Sequence, residues 1–238
     1  MHRLQYTEGI YTTPVHSVSV FSRLMPSMFF YAQLIGIVCR SSWVAKKGEY
    51  RDNNWIESSM AVLRCLEQIG VEVEISGIEN IEHLSGPVVF IGNHMSMMET
   101  MVLPAIIQPV RPVTFVVKES LLSYPVFKHI MRSRNPVAVS RTNPRQDLKV
   151  VMTEGVERLR AGISVIVFPQ TTRSHSFDPE QMSSIGVKLA KKAEVPIVPV
   201  ALKTDCWQNG SWLKDFGKID TTKKACFSFG VPTMVAGK

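Results

Sequence analysis

Cysteine is scarce and unpaired in this chain. Cys39, Cys65, Cys206 and Cys226 are scattered with no C-x2-C spacing, which excludes the usual zinc modules and reads as free thiols in a reducing compartment, without disulfides. The six histidines lack metal-ligand spacing, so no metal site is expected. No low-complexity linker or internal repeat interrupts the chain, which leaves one α/β unit with a small appendage as the simplest organisation. No apolar run reaches the ~20 residues of a transmembrane helix. No basic start leads into an apolar core and a small-residue cleavage site, so no secretory signal peptide is expected. A G-x-S-x-G elbow is missing too, which argues against a serine nucleophile at Ser96, only two residues from His94.

What is present suits a folded enzyme domain. With 45% hydrophobic residues in 238 positions, the chain can bury a sizeable core. Strand-like runs at Val71 to Ile75, Val88 to Ile91, Val113 to Val117, Val137 to Val139, Ile163 to Phe168, Ile197 to Leu202 and Ala225 to Phe229 alternate with helical stretches. This predicts an α/β fold with a mixed, largely parallel sheet covered by helices. A helix is expected from about Asn53 to Gln68, with Asp52 or Asn53 as N-cap and Gly70 as stop.

Residues 1–50 are set apart by composition and are expected to form an apolar, basic helical segment, ahead of the main domain at residues 51–238. An apolar run from Met28 to Cys39 is interrupted by Gln33 and Gly36 and bounded by Arg23 and Pro26 on one side and Arg40 on the other. It reads as too short to span a bilayer. Flanked by Arg23, Arg40, Lys46 and Lys47, it suits a helix lying in the interface of anionic lipid. Phe21, Leu24, Met28, Phe29, Phe30, Leu34, Ile35 and Ile37 are the residues expected to meet the membrane. A core helix docked on the sheet is the competing reading.

Positive charge is unevenly placed. Residues 1 to 110 hold seven Lys/Arg against ten Asp/Glu, residues 111 to 150 hold eight against two, and residues 151 to 238 hold twelve against eight, giving net +7. Such surfaces suit nucleic acid, phospholipid headgroups or anionic thioester carriers. No aromatic interleaving or nucleic-acid module accompanies the charge, so nucleic acid is not expected as a partner.

The most informative stretch is Phe90-Ile91-Gly92-Asn93-His94-Met95-Ser96-Met97-Met98-Glu99. An apolar strand ends at Ile91, Gly92-Asn93 break it, and a helix pattern runs from Ser96 to about Ile107. On a continuous helix, residues five apart point about 140° away from each other. His94 and Glu99 therefore meet only if the turn before the helix curls His94 back. A neutral imidazole held by a carboxylate presents its other nitrogen as a proton acceptor. Taken alone, a histidine at a strand end is more often a satisfied structural residue than a base.

Three further blocks follow: Lys118 to Pro125 with Pro136 to Arg141, then Phe168-Pro169-Gln170-Thr171-Thr172-Arg173-Ser174, then Val195-Pro196-Ile197-Val198-Pro199-Val200. In this order and spacing the set resembles the glycerolipid (lysophospholipid) acyltransferase family, the group that includes 1-acylglycerol-3-phosphate O-acyltransferases, over residues 70 to 232. The family's first block centres on H-x4-D and its third reads F-P-E-G-T-R-S. The resemblance implies membrane association at the cytoplasmic face and transfer of a fatty acyl group from acyl-CoA or an acyl carrier protein to the hydroxyl of a lysophospholipid. The first acceptor to consider is 1-acylglycerol-3-phosphate, giving phosphatidate. It makes His94 the general base and Glu99 its orienter, with no cofactor beyond the thioester co-substrate. Arg141 and Arg173, each after a strand, are implied to grip the acceptor phosphate. Asn93, Ser96, Lys118, Gln170, Thr171 and Thr172 are the other residues expected to bind substrate.

The chain departs from the family pattern at Glu99 for Asp, Gln170 for Glu and Thr171 for Gly. The last two fall in the loop expected to read the acceptor, so another lysolipid is an alternative acceptor. A noncatalytic lipid-binding relative and a thioester or lipid hydrolase are the alternatives of other classes.

Overall fold

The computed structural model describes residues 3–170 and 172–235. Its chain order is β1 (Tyr11–Thr12), α1 (Val20–Leu24), α2 (Pro26–Lys46), α3 (Asp52–Gln68), β2 (Val73–Ser76), α4 (Glu79–Glu82), β3 (Val89–Gly92), α5 (Met98–Ile107), β4 (Val113–Lys118), α6 (Phe127–Ser133), β5 (Val137–Val139), α7 (Pro144–Val150), α8 (Val156–Arg160), β6 (Ser164–Val167), α9 (Ile185–Ala193), β7 (Ile197–Lys203) and β8 (Ala225–Phe229). The strands form one sheet in the order β1-β2-β8-β7-β3-β6-β4-β5. The pairs β1–β2 and β7–β8 are antiparallel and the other five parallel. This is the mixed, largely parallel sheet that the strand pattern predicts.

The central strands are buried on both faces. Every residue of β6 is buried, and Val89 and Phe90 of β3 are fully buried, as expected of parallel strands covered by helices. One face packs against α3 and α5 in the larger core; the other lies under α7, α8 and α9 around Val137, Val165 and Leu189. The helix α3 begins at Asp52, with Arg51 as N-cap in place of the expected Asp52 or Asn53.

The first fifty residues are joined to this body. Tyr11 pairs with Ile75 at the sheet edge, and its hydroxyl donates to Glu67 of α3 at 2.6 Å. A two-residue strand leaves no periodicity to read, which is why β1 has no signature in the sequence. The helix α2 runs 21 residues, past Arg40 to Lys46. The expectation that it is too short to span is corrected: by length and composition alone it passes the test for crossing a membrane. Half of its expected lipid contacts are corrected as well. Phe30 is fully buried with its ring edge-on to Trp207 at 4.7 Å, Leu34 is buried, and Phe29 and Ile37 pack partly against the core. Phe21, Leu24, Met28 and Ile35 are exposed. The helix is therefore two-faced, docked along one side and bare along the other.

Truncating the docked face should be costly and truncating the bare one should not. Phe30→Ala is expected to lower unfolding free energy by about 3–5 kcal/mol, and Met28→Ala by less than ~0.5 kcal/mol, in denaturant titrations under the same conditions. Equal losses would refute the two-faced docking.

Candidate active site

The site lies where β3, β4, β5, β6 and β7 end, the edge at which α/β sheets bind ligands. At the end of β3, the Asn93 amide accepts from the Leu202 N–H and donates to the Leu202 carbonyl, both at 2.8 Å. This bolts the strand end to β7. The chain then turns through His94, Met95 and Ser96 before α5 starts at Met98, two residues later than the sequence suggests. The Ser96 hydroxyl accepts from the Met98 N–H at 3.1 Å, a local side-chain bond that competes with helix at that position.

Glu99 sits in the first turn of α5 and reaches back under this loop. Its carboxylate accepts from Met95 N–H at 2.8 Å, from Ser96 N–H at 2.9 and 3.0 Å, and from the Thr204 hydroxyl at 2.5 Å. The curl brings His94 Nδ1 to 3.4 Å from Glu99 Oε2 although the two are five residues apart. Nδ1 is buried there, has no other partner among the described residues, and is too poorly aligned to count as hydrogen-bonded. Glu99 is completely buried and His94 nearly so.

The loop after β6 holds His94 from the other side. The Phe168 ring stacks on the imidazole with centroids 4.4 Å apart and planes at 11°. The Gln170 side-chain oxygen accepts from the His94 N–H, and the His94 carbonyl accepts from Ser174 N–H at 2.9 Å. Arg173, on the same loop, pairs with Asp215 at 2.6 Å. Arg141 follows β5 in a left-handed conformation, φ 60°, with its N–H donated to Asp147 Oδ2 at 2.8 Å. Burial first, and then the positive charge of Arg173, lower the Arg141 pKa from the usual guanidinium range. The two cations thus share one pole of the site. Lys118 is exposed at the end of β4, and Thr172 is exposed with its hydroxyl 3.4 Å from Lys214 Nζ. Thr171 lies outside the described residues.

His94, Arg173 and Asp215 also line a cavity of about 110 Å³ whose other walls are mainly apolar, among them Val38, Trp55, Val62, Met101, Phe115 and Val117. A second cavity of about 260 Å³ shares Val38, Met97, Met101, Leu121 and Phe127 with it. The two adjoin between α2, α5 and α6.

A family model described as Acyltransferase matches residues 72–203, more than half of the chain. The chain belongs to the acyltransferase family. It is 29% identical over 192 residues to a 1-acyl-sn-glycerol-3-phosphate acyltransferase of Pseudomonas aeruginosa, covering 80% of this chain and 69% of that one. It is 28% identical over 131 residues to the chloroplastic 1-acyl-sn-glycerol-3-phosphate acyltransferase BAT2 of Brassica napus, covering 55% of this chain and 37% of the relative. The crystal structure of the 1-acyl-sn-glycerophosphate acyltransferase PlsC from Thermotoga maritima shares the fold, with a TM-score of 0.60 at 23% identity over 90% of this chain and 86% of that one.

In this acyltransferase, three residues expected to touch substrate have their polar groups engaged inside the protein. Asn93 ties β3 to β7, Ser96 caps α5 and donates to Thr204 at 3.0 Å, and Gln170 holds the His94 backbone. These bonds give all three a supporting role in the fold of the site. Residues that sequence reasoning missed include Thr204 on Glu99, Phe168 on the imidazole, Asp147 under Arg141 and Asp215 on Arg173. Asp147 alone had a local signal, following Asn143-Pro144 at the start of a helix. The others arrive from distant segments.

The bonding of Glu99 makes the acceptor capacity of both its oxygens critical. Glu99→Gln should destabilise the protein by about 1–3 kcal/mol in thermal or denaturant unfolding, because an NH₂ group then faces backbone donors. A melting curve identical to that of the parent would show that these bonds do not anchor the turn.

Proposed function

We propose that the protein transfers a fatty acyl group from an acyl thioester, acyl-CoA or acyl carrier protein, to the free hydroxyl of a lysophospholipid, with 1-acylglycerol-3-phosphate as acceptor and phosphatidate as product. One observation carries the reading: a buried histidine beside a buried carboxylate opens on an apolar cavity, with two arginines at the adjoining strand ends. The names of the Pseudomonas and Brassica relatives support the choice of acceptor.

His94 takes the proton of the acceptor hydroxyl as its oxygen attacks the thioester carbonyl. The tetrahedral oxyanion then collapses, the carbon–sulfur bond breaks, and the thiolate leaves and recovers the proton. The carboxylate of Glu99 faces Nδ1 and favours the imidazolium formed in between. Arg141 and Arg173 bind the acceptor phosphate, and Lys118 adds positive charge on the same edge of the sheet. The apolar cavity takes the acyl chain. At about 0.8 kcal/mol per CH₂, drawing a sixteen-carbon chain into water costs on the order of 10 kcal/mol, so the acceptor is met at the bilayer. The bare face of α1 and α2 supports a position at the bilayer, with the cytoplasmic surface as the side of the reading.

A second reading keeps some support, because Glu99 is hydrogen-bonded to the turn and not to Nδ1. That arrangement suits a lipid-binding relative without catalysis. The assay is release of free thiol from an acyl thioester. Release should depend on an added lysolipid, be greatest with 1-acylglycerol-3-phosphate in an acceptor panel, and fall about 10² to 10⁴-fold in His94→Ala. Release without acceptor identifies a hydrolase, and no release with any acceptor identifies the noncatalytic relative.

The cavity makes a separate prediction. Ser59 is buried on its wall, and Ser59→Phe should cut kcat/KM for long-chain donors by about tenfold or more while sparing short-chain ones. An equal loss for all chain lengths would remove the cavity from the donor site.

A further inference from the structure

Residues 208–218 lie beyond the stretch that matches the acyltransferase family and form a tight loop with an apolar tip. The antiparallel bridge Trp207–Ile219 closes its base, followed by Gln208 N–H to the Lys218 carbonyl at 3.0 Å. Inside it, Gly210 N–H donates to the Lys214 carbonyl at 3.1 Å and Phe216 N–H to the Leu213 carbonyl at 2.9 Å. Two glycines are obligatory. A Cβ at Gly210 would lie 2.2 Å from the Leu213 oxygen, and one at Gly217 would lie 1.9 Å from the Gln208 oxygen.

This bracing holds Trp212 97% exposed and Leu213 60% exposed. Fixing an indole fully in water leaves its apolar area unburied, so the tip calls for an apolar partner. Its neighbours say which one. The loop packs on the start of α2, where Tyr31 donates to the Gly217 carbonyl, the Tyr31 and Phe216 rings lie 5.2 Å apart, and Ser27 Oγ accepts from Ile219 N–H at 2.9 Å. The exposed Phe21, Leu24, Met25 and Met28 come within a few residues of these contacts along the chain. Lys214 and Lys218 flank the tip and are exposed. An amphipathic ring beside cations is the composition of a segment seated among anionic headgroups.

We propose that this loop is a second bilayer-contact element, with Trp212 and Leu213 entering the headgroup region of an anionic phospholipid surface beside α1 and α2. The same loop supplies Asp215 to Arg173, so the contact is made next to the acceptor pole. The proposal deepens the lysophospholipid reading but is tested without acyl transfer, so that failure of one does not masquerade as failure of the other.

The test uses the full chain with vesicles of phosphatidylcholine, alone or mixed with phosphatidylglycerol. Trp55 and Trp207 are buried but Trp43 is exposed, so the Trp212 signal is taken as the difference between the parent protein and Trp212→Phe. That difference should shift to the blue on phosphatidylglycerol vesicles and be quenched by brominated acyl chains. Trp212→Ser combined with Leu213→Ser should bind those vesicles about tenfold more weakly, with an unchanged unfolding midpoint. An unshifted, unquenched Trp212 on vesicles that do pellet the protein overturns the proposal. So does equal binding by the double variant, or a Trp212 response to acyl carrier protein and not to lipid.

Discussion

The carboxylate of Glu99 is the point on which the site depends. It is fully buried, a position that a charged group holds only when its oxygens are satisfied. Two backbone N–H groups of the loop before α5 and the hydroxyl of Thr204 after β7 supply that satisfaction. The same bonds fix the curl that carries His94 over the helix terminus. A shorter acid would have to draw the loop closer to keep the N–H contacts, so the extra methylene relative to the family's Asp suits the position that the loop occupies here. Orientation of the base and folding of the turn are one interaction.

Support for His94 then spreads outward through contacts between segments. Phe168 flattens one face of the imidazole, and Gln170 and Ser174 hold the backbone on either side. Gln170 shows why this chain departs from the family's Glu without losing the local structure: an amide oxygen accepts a backbone N–H as a carboxylate would, with no buried charge to compensate. At the opposite pole, Arg141 and Arg173 repel each other, and Asp147 and Asp215 offset part of that repulsion. Not all of the basic middle stretch is available to ligands. Arg111 is buried and donates to the carbonyls of Gly86, Ile81 and Leu84, and Arg134 lies over the Trp55 ring and pairs with Asp52.

The amino-terminal helices show the same economy of one element serving two environments. Phe30 and Leu34 belong to the core, while Phe21, Leu24 and Met28 remain outside. Neither competing reading of that stretch, a lipid-facing helix or a core helix, describes it alone. A helix surface is divided by angle, and one side of α2 is docked while the other stays exposed.

Patterns that repeat within a few residues were legible in the sequence. The seven longer strands, α3, α5 and the loops that carry His94 and Arg173 could all be placed, because strand alternation, helix spacing and strand-end turns are local consequences of side-chain periodicity. The pairing of His94 with Glu99 was stated as a condition on the turn, and the bonds that hold Glu99 in that turn include one from Thr204, more than a hundred positions away. Phe168 against the imidazole, Asn93 against Leu202 and Asp215 against Arg173 are likewise long-range contacts, invisible to any local pattern. For the same reason Asn93, Ser96 and Gln170 read as substrate ligands until their partners were seen. The sequence alone showed on which kind of element His94, Glu99, Arg141 and Arg173 stand. Tertiary structure decided which of them face the cavity and which hold it together, because a polar side chain's role is set by the partner that folding brings to it.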